Sequence, residues 1–222
     1  MPLPCSTRVH QPLYSGVPSS PTAELAQLRP GLWVWHAYDP AVRTELFSSA
    51  LAAAGGLCVV DPIPLTEADF AGVAKAGQLA AVIVTNTNHQ RTALDYSDRF
   101  SVPVLAHRET LAAIKPVRFD DPFAIASKGL DAIEIEGAVA GEIALYDPLN
   151  KGTLIVGDAL INLEPYGFTF LPKKYCLDQK KMCRSLHKLL SLSVERILFA
   201  HGTPIISGAS TRLRQLFDAD PS

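Results

Sequence analysis

Three apolar runs that each break off into a polar loop constrain this chain more than any other feature. Residues 80–84 lead into Thr85-Asn86-Thr87-Asn88-His89-Gln90-Arg91, Thr153–Val156 leads into Gly157-Asp158, and residues 196–200 lead into His201-Gly202. A short run that is apolar at every position reads as a strand covered on both faces, because a half-exposed strand alternates. Polar groups gathered at the ends of such strands indicate one shared site where the loops meet.

Composition narrows the classes. A chain of 222 residues with 48% hydrophobic and 19% charged residues suits one large domain with a sizeable core. A formal net charge of −2 gives no electrostatic case for a nucleic-acid partner. No apolar run approaches the ~18 residues of a membrane helix, so no membrane association is expected. Residues 1–30 carry Pro2, Pro4, Pro12, Pro18, Pro21 and Pro30. They read as an extended arm, with room for a short helix at 22–28, ahead of a single domain over 31–222. The arm lacks the apolar segment of a signal peptide, so a cytoplasmic protein is expected. The arm offers a surface for a homo-oligomer. Cys5, Cys58, Cys176 and Cys183 show no CxxC spacing. Cys58 reads as a buried free thiol, and Cys176 and Cys183 as packing residues on one helix face.

The periodicity alternates strands and helices. Strands are expected at 32–38, 45–53 and 57–60, the last two joined as a hairpin by Gly55-Gly56. A helix opens at Thr66 with Asp69 three residues on, and stops at Gly77. Strand 80–84, helix 93–100 and strand 102–106 continue as a right-handed crossover. The second half offers strands at 132–136, 142–146, 153–156 and 196–200, with helices at 177–192 and 211–217.

The order of these landmarks resembles the metallo-β-lactamase superfamily. The resemblance spans about residues 32–205 and implies an α+β fold, a four-layer αββα sandwich. In that family the first loop reads T-H-x-H-x-D-H and an Asp and a His arrive later. Laid on that pattern, Asn86, Asn88, Gln90 and Arg91 stand where His, His, Asp and His belong. Asp158 and His201 match liganding positions, and Asp61 matches the family's strand-end Asp. The stretch 137–140, where a further His is expected, has no donor.

These replacements matter chemically. Zinc takes imidazole, thiolate or carboxylate ligands. Carboxamides are weak neutral donors, and a guanidinium keeps its proton and repels a cation. No metal cofactor is therefore expected, and the dinuclear hydrolase mechanism falls with it. Arg91 is expected to pair with Asp158 as a bidentate salt bridge, with Asn86, Asn88 and Gln90 satisfying neighbouring groups. The chain then reads as a degenerate family member that binds a small-molecule ligand. The alternative is a hydrolase with one divalent metal (zinc, iron or manganese) held by His89, Asp158 and His201. In its metal-free form, His201 is the base and Asp158 orients it. No G-x-S-x-G elbow, P-loop or dinucleotide fingerprint is present.

Overall fold

The computed structural model describes residues 23–120 and 122–219. Six strands form the first sheet in the order β1 to β6: β1 Glu24–Arg29, β2 Leu32–Asp39, β3 Thr44–Ala53, β4 Gly56–Val60, β5 Leu79–Val84 and β6 Val104–Ala106. β1 to β4 make an antiparallel meander, and β5 and β6 add in parallel. A parallel neighbour needs a crossover, and α1 Glu67–Val73 and α2 Ala93–Phe100 supply the two. α3 Arg108–Ile114 follows β6.

The second sheet has the order β12-β9-β8-β7, built from β7 Asp131–Glu134, β8 Ile143–Asp147, β9 Thr153–Val156 and β12 Arg196–Phe199. A separate hairpin pairs β10 Leu160–Leu163 with β11 Gly167–Phe170. α4 Gln179–Leu186 and α5 Ala209–Ala219 complete the chain.

The residue alternation along each strand sorts the core into layers. Ala81 and Ile83 of β5 point between the sheets, against Leu145, Ile155 and Leu198. Val82 and Val84 point the other way, onto Ala93 of α2 and Ile114 of α3. In the second sheet, Leu154, Val156 and Ile197 pack under Met182, Leu186 and Leu213. Both faces of each sheet are thus covered, which is why residues 79–84, 154–156 and 197–199 are apolar at every position. Helices lie outside two stacked sheets, the four-layer αββα arrangement of an α+β fold.

Three expectations change, and two elements were not expected. Residues 24–29 form β1 paired to β2 where a short helix was expected; the rest of the expected arm, residues 1–22, lies outside the described residues. Cys176 caps a 3-10 turn before α4, so only Cys183 lies on the helix. The helix expected over 177–192 is α4 followed by a 3-10 turn, His187–Ser191. The β10–β11 hairpin and α3 carry no strong periodic signal in the sequence, because each is short and half-exposed. The expected hairpin between β3 and β4 forms, as does the Thr66 cap, which accepts from the Asp69 amide at 3.1 Å.

Candidate functional site

The site lies where β4, β5, β9 and β12 end. β4 ends at Asp61, whose backbone is left-handed at φ +46°. Its backbone N–H donates to Ile83 and its carbonyl accepts from Ser48 Oγ at 2.6 Å. The following loop is anchored to this corner, since both the Thr92 amide and hydroxyl donate to the Pro62 carbonyl. Arg91 is also left-handed, at φ +41°. Non-glycine residues in that region are uncommon and cluster at functional sites.

His89 is the centre. It is 2% exposed, where a loop histidine ordinarily caps or faces solvent. Its Nδ1 lies 3.0 Å from Asp61 Oδ2 and 2.9 Å from Thr85 Oγ1. Asp61 is further held by the Thr85 amide (2.8 Å) and hydroxyl (2.5 Å). On the other side, His89 Nε2 lies 3.2 Å from Asp158 Oδ1, yet its N–H direction completes no hydrogen bond. His201 Nε2 approaches the same oxygen to 3.3 Å. The two imidazole rings stand 5.4 Å apart.

A third carboxyl group, which sequence reading placed only in a strand, completes the cluster. Glu142 is 2% exposed. Its Oε2 accepts from Asn86 Nδ2 at 2.6 Å, and its Oε1 from the Ala159 amide at 3.0 Å. Asn86 Nδ2 also lies 3.2 Å from Asp158 Oδ2, so one carboxamide tethers two acids. The signal available in the sequence was a lone Glu opening the apolar strand β8, a poor place for an unpaired charge. Gly157 accommodates this crowding, since a Cβ there would stand 2.7 Å from both Glu142 Oε1 and Thr85 Oγ1.

Arg91 does not form the expected bidentate pair with Asp158. Its Nη1 donates to the carbonyls of Phe47 (2.5 Å) and Asp61 (2.9 Å), and its Nη2 to that of Ala200 (3.2 Å). These carbonyls belong to β3 and to the ends of β4 and β12, so the guanidinium ties the two sheets together below the cluster. Five donors in a planar fork suit three diverging carbonyls better than a single carboxylate. The role of bridging cation falls to His89. Asn88 is exposed and Gln90 half-buried, and neither side chain hydrogen-bonds to a described residue. Of the residues expected to share the site, Asp61, Asn86, His89, Arg91, Asp158 and His201 come together, joined by Glu142, while Asn88 and Gln90 take no part.

The electrostatics follow from burial and pairing. Burial works to raise Asp61, but the facing His89 charge and Arg91 outweigh it and hold the carboxyl below its usual range. The same contest, with His89 as the chief opposing charge, holds Asp158 well below its usual range. Burial lowers His89, yet Asp158 and Asp61 push it up to about 9. Burial and the Asp158 charge outweigh the Ala159 amide, His89 and Asn86, and raise Glu142 to about 8. Burial and the His89 charge lower His201 to about 4. Near neutral pH two carboxylates thus face two cations, His89 and Arg91, with Glu142 and His201 uncharged.

The donor set can be tested against a metal. Asn86, Asn88, Gln90 and Arg91 do not fit a dinuclear centre, since none supplies an imidazole or carboxylate and one is a half-buried cation. His89, Asp158 and His201 bring ligand atoms within 4.8 Å of one another. Zinc bonded at about 2.05 Å in a tetrahedron separates its ligands by roughly 3.3 Å. The two contacts to Asp158 Oδ1, 3.2 and 3.3 Å, match that edge. The two imidazoles would have to close on each other to complete it.

Two stacked mixed sheets flanked by helices, with the polar side chains gathered at the strand ends, define the class of αββα sandwich proteins. The chain belongs to the metallo-beta-lactamase superfamily, whose family model matches residues 25–219. Solved structures agree on the fold. DIM-1 metallo-beta-lactamase is 14% identical, with a TM-score of 0.67 over 90% of this chain and 98% of that one. The metallo-beta-lactamase from Pontibacter korlensis is 16% identical, with a TM-score of 0.68 over 89% and 99%. The metallo-beta-lactamase family protein TTHA1429 from Thermus thermophilus is 18% identical, with a TM-score of 0.58 over 88% and 81%. At such identities the likeness is one of fold. No curated protein matches the chain in sequence. Among the described residues, no helix is long and apolar enough to cross a membrane.

Proposed function

We propose that this chain is a metallo-β-lactamase-fold protein that has exchanged the dinuclear metal centre for a charge-balanced network of side chains, and that it works as a small-ligand-binding protein. The observation that carries this reading is the direction of the Asn86 carboxamide. At a position where the family pattern has an imidazole lone pair, Asn86 presents N–H groups to Glu142 and Asp158. A donor turned toward carboxylates serves anions, whereas a metal ligand serves a cation. The half-buried Arg91 adds a fixed positive charge beneath the cluster. The expected partner is a small molecule; the charge and hydropathy of the chain argue against nucleic acid and membrane.

One observation favours a second reading, a hydrolase with a single metal. His89 Nε2 is a buried polar atom without a hydrogen bond, and it belongs to the three-donor group with Asp158 and His201. A metal bound there would activate water and polarise an oxygen of the substrate. The residues themselves would hold it, with Asp61 and Thr85 fixing the His89 ring from behind.

Elemental mass spectrometry on protein purified without chelators separates the two. Zinc, iron or manganese well below one equivalent, unchanged after incubation with excess metal, is expected. Near-stoichiometric metal that disappears in His89→Ala would overturn the proposal and establish the mononuclear reading.

A further inference from the structure

A separate cavity of about 290 Å³ opens at the edge of the sandwich. It lies where β6, the last strand of the first sheet, faces β7, the last strand of the second. Its floor is apolar and buried, made by Ala106, Ile125 and Ile143. Ile125 and Ile143 belong to the inter-sheet core, so the cavity reaches into the layer that elsewhere is filled by side chains. At roughly 30 Å³ per water-sized group, it has room for about ten non-hydrogen atoms. None of the residues of the His89 cluster lines it.

The rim carries charge of both signs on opposing walls. Arg108 follows β6, and Asp131 opens β7. Both are exposed, and neither side chain makes a hydrogen bond or ion pair with another described residue. His107 and Glu134 stand beside them, His107 Nε2 lying 3.6 Å from Glu134 Oε1. His107 Nδ1 accepts from the Glu109 amide at 3.3 Å, so its proton sits on Nε2 and faces the cavity rim as a donor. The rim thus pairs two donors, Arg108 and His107, with two carboxylates, Asp131 and Glu134, above an apolar floor.

An apolar slot this small, closed by a free guanidinium and a free carboxylate, matches one chemical class. We propose that the cavity binds an α-amino acid with an apolar side chain. The side chain would enter between the sheets. The carboxylate would meet Arg108 and His107, and the ammonium would meet Asp131 and Glu134. An apolar carboxylate without the amine would face two acids, and an amine without the carboxylate would leave Arg108 without a partner. The inference is independent of how the His89 cluster works.

L-leucine, titrated into the full-length protein and followed by amide NMR shifts, is the test. 4-Methylpentanoate and isoamylamine serve as half-ligands. Saturable shifts are expected at Ala106, His107 and Ala132, with each half-ligand weaker. Arg108→Gln and Asp131→Asn remove exposed groups without partners, so both variants should fold. Each should weaken leucine by about tenfold, the loss of one charge-assisted contact. Ala132→Phe, which fills the cavity from an exposed position, should abolish the shifts at unchanged thermal stability. The proposal is overturned if leucine gives no saturable shift. It is equally overturned if either half-ligand binds as tightly as leucine, or if the charge variants leave leucine binding unaltered.

Discussion

His89 and Asp61 are joined face to face inside the protein, Nδ1 to Oδ2 at 3.0 Å, with both side chains about 3% exposed. The other nitrogen of the same ring reaches Asp158 at 3.2 Å. One imidazole therefore spans two buried carboxylates. Removing it leaves both without their nearest cation, and an uncompensated buried charge is expensive. His89→Ala is expected to cost roughly 3–5 kcal/mol in urea unfolding. A loss below about 1 kcal/mol would show that the pairing contributes little.

Arg91 bonds to three carbonyls drawn from both sheets. A lysine at this position keeps the charge but donates from a single nitrogen, which cannot span carbonyls now reached by both Nη1 and Nη2. Arg91→Lys is expected to lose about 1.5–3 kcal/mol, the range for hydrogen bonds to charged groups. Stability equal to that of the parent protein would mean that charge alone matters here and that the planar fork does not.

The proton balance makes stability fall as pH rises above neutrality. His89 titrates at about 9 when folded against 6.5 as its ordinary value. A raised folded pKa means that its stabilisation is complete below pH 6.5 and is lost as pH climbs through 9. His89 alone accounts for about 3 kcal/mol over that window. Glu142, raised to about 8 from 4.5, acts in the same sense, since the folded form retains a proton the unfolded form has shed. His201 acts in the opposite sense, but only between about 4 and 6.5. Asp61 and Asp158 are held low, so their contribution is lost only in acid. Unfolding of chelator-treated protein should therefore be easier at pH 9.5 than at pH 6.5. A flat profile across that range would remove the case for a charged His89.

Gly157 is set by crowding. An added methyl would meet Glu142 Oε1 and Thr85 Oγ1 at 2.7 Å and Asn86 Nδ2 at 3.0 Å. Gly157→Ala is expected to destabilise by roughly 1–3 kcal/mol through overpacking. It should also disturb the amide signals of Asn86 and Ala159, whose partner Glu142 must shift. An unperturbed spectrum would show that the cluster yields easily.

Burial pushes the Cys58 thiol up to about 11. A thiolate is the reactive form, so Cys58 should resist iodoacetamide at pH 8 and react only in denaturant. Rapid labelling of Cys58 in the native protein would argue that the inter-sheet layer opens on that timescale.

The amino-acid sequence by itself determined most of the strands and helices, though not β1, α3 or the β10–β11 hairpin. Apolar runs at 80–84, 153–156 and 196–200, the Gly55-Gly56 turn and the Thr66 cap are local signals, and each acts through the backbone of its own segment. It also settled which residues reach the strand ends, so Asp61, Asn86, His89, Arg91, Asp158 and His201 were legible as neighbours. What they do to one another was decided only in three dimensions. Arg91 turned to carbonyls because Phe47, Asp61 and Ala200 converge beneath it from distant parts of the chain. His89 took the bridging place because Asp61 and Asp158, 97 positions apart in sequence, close on its two nitrogens. Glu142 entered the site because β8 and β9 bring it beside Asp158 and Asn86. Hydrogen-bond direction and charge pairing act through space over a few ångströms, and a sequence orders residues only along the chain.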